Sequence, residues 1–241
     1  MACDCATCTS DDPRDQRLRT SLLIQSDTTT IVIDTSMDFR QQMLRHRVMD
    51  IDAVVYTHHH FDHIGGFDDL RPYTFRSGKP VQVYAMSETL DVVRSTFPYA
   101  FGLVRPTGAS VPSVELHEIA TAPFTIGNIT LVPVPMLHGG MPVLGFRIGD
   151  TAYCTDTNHI PDSSRMLLRN LDTLVLDGLR WQEHPTHFTI DQSLTVVADL
   201  RPRRTYLTHI AHQVRHVDGD AYLPDHVRMA WDGLSFSSTA E

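Results

Sequence analysis

Long apolar runs are missing from this chain of 241 residues. None approaches the roughly 20 consecutive apolar residues that a membrane helix needs. Also missing is a basic, then hydrophobic leader. The chain opens Met1-Ala2-Cys3-Asp4-Cys5, so no secretory signal is expected and a cytoplasmic location is the default expectation. Positive charge is short as well: 20 Lys and Arg face 29 Asp and Glu, a formal charge of -9. With no long basic arm, a nucleic-acid partner is opposed. There are only two Trp, and neither a short-period repeat nor a low-complexity tract. What is present suits one domain, or at most two: 41% hydrophobic and 20% charged residues. His is abundant, at 14, and that number asks for chemistry.

The chemistry is concentrated in Tyr56-Thr57-His58-His59-His60-Phe61-Asp62-His63-Ile64-Gly65-Gly66. Four imidazoles and a carboxylate follow an apolar run (Ile51, Ala53, Val54, Val55) that reads as a buried strand. These are the donors that a borderline divalent cation prefers. In His-x-His-x-Asp-His, His58 and His60 can converge on one ion, and Asp62 and His63 can hold a second. His59 is expected to point away. Gly65-Gly66 lets the backbone pass close by and turn into a helix.

At the start of the chain, Cys3, Cys5 and Cys8 form C-x-C-x-x-C. In a reducing compartment this spacing reads as a metal-thiolate site rather than a disulfide framework. Its competitor is a solvated tail of free thiols. A closed tetrahedral zinc needs a fourth ligand from elsewhere. The pattern then predicts strands over 18–25 and 30–33, a helix over 39–47, a strand over 81–85 and a helix over 87–95 capped by Ser87. Residues 97–112 are expected to be a long loop, either a lid or a segment anchored by Phe97, Tyr99 and Phe101. A meander over 114–119, 124–126 and 129–134 follows, turning at Gly127-Asn128. Later strands are expected at 143–148, 152–154, 173–176 and 203–207, with helices at 161–169 and 192–200, the second started by Asp191. Cys154 and Asp156 would share a strand face, with Cys154 as core.

Potential ligands recur at strand ends: Asp34, His58 with His60, His138, Asp156 and His209. Asp34 has two readings, an N-cap for the following helix or a carboxylate that orients a metal-bound imidazole. One ion could take His58, His60 and His138, the other Asp62, His63 and His209, with Asp156 bridging. A shared hydroxide would be the nucleophile.

This ordered set resembles the five motifs of the metallo-β-lactamase superfamily, from about Arg19 to the C-terminus. The resemblance implies an α/β fold, an αββα sandwich of two mixed β-sheets flanked by helices, as a single domain over 1–241 with a zinc-binding extension at 1–17. Within the superfamily, Cys3-x-Cys5-x-x-Cys8, Pro13-Arg14-Asp15-x-Arg17-x-Arg19, His184-Pro185-Thr186-His187 and His209-Ile210-Ala211-His212 resemble the phosphoribosyl cyclic phosphodiesterase subfamily of the carbon–phosphorus lyase pathway. That resemblance implies one structural zinc on Cys3, Cys5, Cys8 and His212, and two catalytic divalent ions, Mn or Zn. It gives catalytic roles to Asp62 and to His187, the latter as general acid, and places His184 close behind them. The implied partner is a small phosphodiester substrate; a homodimer is compatible with it. Thioester or lactam hydrolysis by the same metal edge, and a non-catalytic metal-binding role, are the competing readings.

Overall fold

The structure, a computed structural model, describes residues 3–102 and 110–239. The chain divides into two compact units, one of Arg19–Ile129 and the other of Met1–Leu18 with Thr130–Glu241. Each has a sheet and an apolar core of its own.

In the Arg19–Ile129 unit, β1 (Leu22–Gln25) and β2 (Thr30–Ile33) form an antiparallel hairpin, with Ser26 bonding the backbone of Thr28 and Thr29 to close the turn. β1 is shorter than the sequence suggests. The Arg19 N–H donates to the Asp38 carboxylate, and the Ser21 hydroxyl to the carbonyls of Ile33 and Asp34, so these groups are satisfied outside a ladder. The chain then crosses over three times. Helix α1 (Phe39–His46) leads to β3 (Ala53–Val55); α2 (Phe61–Ile64) and α3 (Arg71–Ser77) lead to β4 (Val81–Ala85); α4 (Ser87–Thr96) leads to β5 (Val114–Glu118). β2 to β5 are parallel in the order β1-β2-β3-β4-β5. The central strands are buried on both faces, which is why Ala53-Val54-Val55 shows no polar alternation. Phe39 and Met43, four residues apart on α1, pack into the core. The N-cap of α4 is Met86, and Ser87 is its first helical residue rather than its cap.

Phe97 stacks on Phe67 at 4.8 Å, and the Tyr99 hydroxyl donates to Asp68, so the described start of the 97–112 segment is anchored. The remainder, 103–109, lies outside the described residues. The predicted meander fails at its first strand: β5 pairs with β4, in parallel, as an edge of this sheet. A short strand β6 (Phe124–Ile126) precedes the turn at Gly127-Asn128.

In the other unit, β7 (Ile129–His138) and β8 (Met141–Ile148) form a hairpin about Gly139-Gly140, and β9 (Thr151–Cys154) returns antiparallel to β8. β10 (Thr173–Asp177), β11 (Arg204–Thr208) and β12 (Val227–Met229) continue in parallel from β9. Helices α5 (Asp162–Leu167) and α6 (Ile190–Leu200) make the crossovers to β10 and β11. α6 starts two residues earlier than expected because Thr189 and Gln192 form a capping box, which displaces Asp191 from the cap. β9 ends at Cys154 and Asp156 turns left-handed (φ 53°), so strand alternation does not carry as far as Asp156. Helix α7 (His216–Tyr222) and β12 carry no expectation from sequence.

Candidate metal centres

The carboxyl ends of parallel strands are where open α/β sheets collect polar groups. Asp34 follows β2, His58 follows β3, Asp156 follows β9 and His209 follows β11; Asp177 ends β10. Three of these, Asp34, Asp156 and His209, have positive φ (65°, 53° and 59°). Left-handed backbone at non-glycine residues persists only where the surroundings enforce it, and it concentrates at functional sites.

In the Arg19–Ile129 unit, Asp34 is fully buried and accepts from the Thr57 N–H (2.9 Å) and the Thr57 hydroxyl (2.8 Å). Its Oδ2 lies 2.7 Å from His63 Nδ1. The N-cap reading of Asp34 fails, since α1 is preceded by Asp38 at that position. Burial pushes the Asp34 carboxyl up, with His63 and Thr57 pulling against it. His58 Nδ1 sits 2.9 Å from the Thr57 hydroxyl, which itself donates a hydrogen bond to Asp34. Both Nδ1–H groups thus face acceptors, which fixes the tautomers and turns Nε2 into the basic nitrogen. The His58 ring centre is 4.6 Å from His60 and 4.2 Å from His63, and Asp62 Oδ2 is 3.7 Å from His63 Nε2. Asp62 and His63 meet because α2 begins at Phe61, straight after the exposed His60. His59 is half-buried, with its ring 6.0 Å from His60.

In the other unit, His138 closes β7, and its Nδ1 donates to the Thr186 carbonyl (2.7 Å). Asn158 accepts from the Gly139 N–H and donates to the Pro185 carbonyl, which ties the hairpin tip to residues 185–186. Asp156 Oδ1 accepts from Thr155 (2.7 Å), and its Oδ2 is 3.3 Å from His209 Nε2. Donor atoms of His138, Asp156 and His187 lie within 4.8 Å of one another. The His187 ring stacks on His209 at 4.8 Å and meets His138 edge-on at 4.5 Å. His184 is half-buried, 5.1 Å from His187, and bonds the Thr186 hydroxyl. It is therefore a neighbour of His187 that also closes its own turn.

Asp177 is the residue that the sequence reasoning passed over. It is fully buried, its Oδ2 is 2.7 Å from His187 Nδ1, and it accepts from the Thr157 N–H at 2.8 Å. Burial is the largest influence on its carboxyl and pushes it up, while His187 and His209 pull it down. Its signal was available: a carboxylate ending an apolar strand and followed by glycine, as Asp34 ends another strand.

Near the chain start, the Sγ atoms of Cys3, Cys5 and Cys8 lie 3.5, 3.4 and 3.7 Å from His212 Nδ1. A tetrahedral zinc with sulfur at about 2.3 Å and nitrogen at about 2.05 Å has S···N edges of about 3.6 Å. The donor set fits that ion. The Cys8 N–H and His212 pull the Cys5 thiol down to about 6, and Cys5 in turn pushes Cys8 up to about 11. A divalent cation relieves that opposition by taking every sulfur as thiolate.

Comparison with known proteins places the chain in a family. The family model described as the beta-lactamase superfamily domain matches residues 29–210. The crystal structure of a diphosphatase from the PhnP family shares 41% identity, covers 100% of this chain and 93% of its own, and superposes with a TM-score of 0.92. Zinc-bound PqqB from Methylobacterium extorquens, at 19% identity and a TM-score of 0.77 over 98% of this chain and 94% of its own, shares the fold. An octanoyltransferase of Porphyromonas gingivalis is 37% identical over 238 residues, 97% of this chain, and the chain spans about half (48%) of that protein's length. With two mixed sheets flanked by helices and His and Asp side chains that could hold metal at the strand ends, this chain belongs to the metallo-β-lactamase superfamily and resembles its PhnP family.

Proposed function

We propose that the chain is a metal-dependent phosphodiester hydrolase acting on a small substrate such as a cyclic ribose phosphate. The observation that carries this reading is the His187–Asp177 pair beside His138 and Asp156. Divalent cations held by His58, His60, Asp62 and His63 of one unit and by His138, Asp156 and His209 of the other would supply charge neutralisation at the phosphoryl oxygens and lower the pKa of the attacking water. The protein's own groups do the rest. His138 is held to one tautomer by the Thr186 carbonyl, and His63 by Asp34. His187 keeps its Nδ1 proton on Asp177, so its Nε2 is the atom that gives a proton to the departing alkoxide, with the carboxylate stabilising the imidazolium beforehand. The 41% identical neighbour is a diphosphatase, which supports attack at phosphorus in general. Cys3, Cys5, Cys8 and His212 hold the structural zinc in this reading.

The octanoyltransferase relative favours a second reading, acyl thioester hydrolysis. A turnover panel on metal-loaded protein separates the two: a ribose cyclic phosphate, bis(p-nitrophenyl) phosphate, a diphosphate ester and an octanoyl thioester. Turnover of the phosphorus substrates with an inert thioester is expected. Thioester turnover alone overturns the proposal.

A further inference from the structure

The segment between the cysteine cluster and the first strand carries an ion pair that none of the roles above uses. The Arg17 guanidinium and the Asp15 carboxylate lie 3.0 Å apart, with side chains only 12% and 1% exposed. Burying such a pair is costly unless the remaining protons and lone pairs find good partners. Here Arg17 Nη1 and Asp15 Oδ1 find theirs in one loop, while Arg17 Nε and Asp15 Oδ2 make no hydrogen bond. Arg17 Nη1 donates to the carbonyls of Ala211 (3.3 Å) and Val214 (2.9 Å). Asp15 Oδ1 accepts from Arg17 Nη2 and from the His216 N–H (2.7 Å), at the first residue of α7. All these partners lie within Ala211–His216, the loop that joins β11 to α7.

That loop starts at His209 and contains His212. The left-handed backbone of His209 needs enforcement from outside, because β11 stops one residue earlier. Ala211 is fixed on one side by its N–H to the Leu179 carbonyl and on the other by its own carbonyl to Arg17. We propose that Arg17, braced by Asp15, is a positioning residue for His209: the guanidinium fork clamps residues 211–216 so that the imidazole at the start of the loop is presented in one orientation. The inference rests on the reading of His209 as a metal ligand. It is separate from the zinc ligation of His212, since the clamp is made of carbonyls and a carboxylate. A lysine carries the charge but lacks the planar fork, so it does not replace Arg17.

The test uses full-length, metal-loaded Arg17→Lys and Arg17→Ala, with His209→Ala and wild type alongside. Metal content after graded chelator dialysis, alkylation of Cys3, Cys5 and Cys8, thermal unfolding, and kcat with KM are read on each. Arg17→Lys is expected to lose one catalytic metal equivalent at about 10–100-fold lower chelator concentration, with the cysteines still protected and kcat reduced more than KM. If Arg17→Ala fails to fold, Arg17→Lys decides. Folded Arg17→Lys that holds every metal as wild type does, or loses only the thiolate-bound zinc, overturns the clamp, even if its melting temperature drops. His209→Ala separates the two failures. If it sheds a metal while Arg17→Lys does not, the positioning role alone is wrong; if it sheds none, the ligand reading is wrong and the positioning role falls with it.

Discussion

Asp177 shows how much a single buried carboxylate can decide. It holds one nitrogen of His187 and leaves the other for proton transfer, so its loss is felt through a tautomer rather than through a missing contact. Asp177→Asn preserves shape but not the charge, and because the Thr157 N–H and His187 Nδ1 share one oxygen, the amide either keeps that acceptor without the carboxylate's charge or turns its NH2 to the ring and loses both bonds. We expect kcat for alkyl-leaving phosphodiesters to fall about 100-fold, and much less for p-nitrophenyl esters, whose leaving group departs without a proton. Equal losses on both would remove His187 from the acid role. His216 gives a residue-scale prediction about pH. It is fully buried, and burial holds its imidazole below the usual 6.5, with Asp220 pulling it up and Arg14 and Arg17 reinforcing the fall. A ring kept neutral in the fold but free to protonate when unfolded contributes stability above the unfolded pKa of about 6.5. That contribution is lost as pH drops below 6.5 towards the folded value. Urea midpoints between pH 7.5 and pH 5 are therefore expected to decline more steeply for wild type than for His216→Leu. Parallel curves would contradict this.

Among the elements, α2 is the one whose placement depends most on a glycine. The chain leaves it through Gly65-Gly66, and the Gly66 N–H bonds the Thr35 carbonyl at 2.9 Å. A Cβ at Gly66 would lie 2.2 Å from the Ser36 carbonyl oxygen and 2.7 Å from Phe39 Cβ. Backbone on one side and core on the other leave little room to shift. Gly66→Ala is expected to cost about 2 kcal/mol in urea unfolding and to weaken metal retention by Asp62 and His63. Gly140→Ala, where a Cβ meets nothing within 4 Å, should leave stability unchanged and serves as the control. The same element explains what was readable in the sequence. Candidate ligands packed into one short stretch, as in His58–His63, announce themselves because their spacing and their strand are local. So do β2, β4 and β6, whose apolar runs are bounded by polar turns. Where tertiary packing sets the structure, the sequence is silent. Helix α7 contains Gly219 and two aspartates, poor helix formers. It exists because Gly219 packs against Met229 and because Asp220 accepts from the Met229 N–H, at the end of three-residue β12. Likewise, β5 looked like the opening of a meander because a hairpin signal follows it, and only the pairing with β4 reveals a parallel edge strand.

For the molecule as a whole, the candidate thiolate site closes a long loop. Cys8 and His212 are 204 positions apart, and a cation held between them restricts the unfolded chain as a cross-link does. For a loop of that length the entropic gain is on the order of 5 kcal/mol by the chain-entropy argument, as an upper bound, which translates to a melting-temperature change of roughly 10 °C for a chain of this size. The fourth ligand could be named only through family resemblance, because nothing local in Cys3–Cys8 points to His212. The structure supplies what spacing could not, donor atoms at the edge lengths of a tetrahedron. Loss of the thiolate-bound ion from wild-type protein should therefore lower the melting temperature by up to that amount, beyond what loss of the catalytic cations costs. Cys5→Ser should begin near the lower value, and chelator should move it less. The bonds from Arg17 and Asp15 to the 211–216 loop involve no metal ion, so Cys5→Ser is expected to keep most of its turnover per folded molecule at low temperature. A Cys5→Ser protein as stable as wild type but inactive would show that the thiolate site serves the reaction and not the fold.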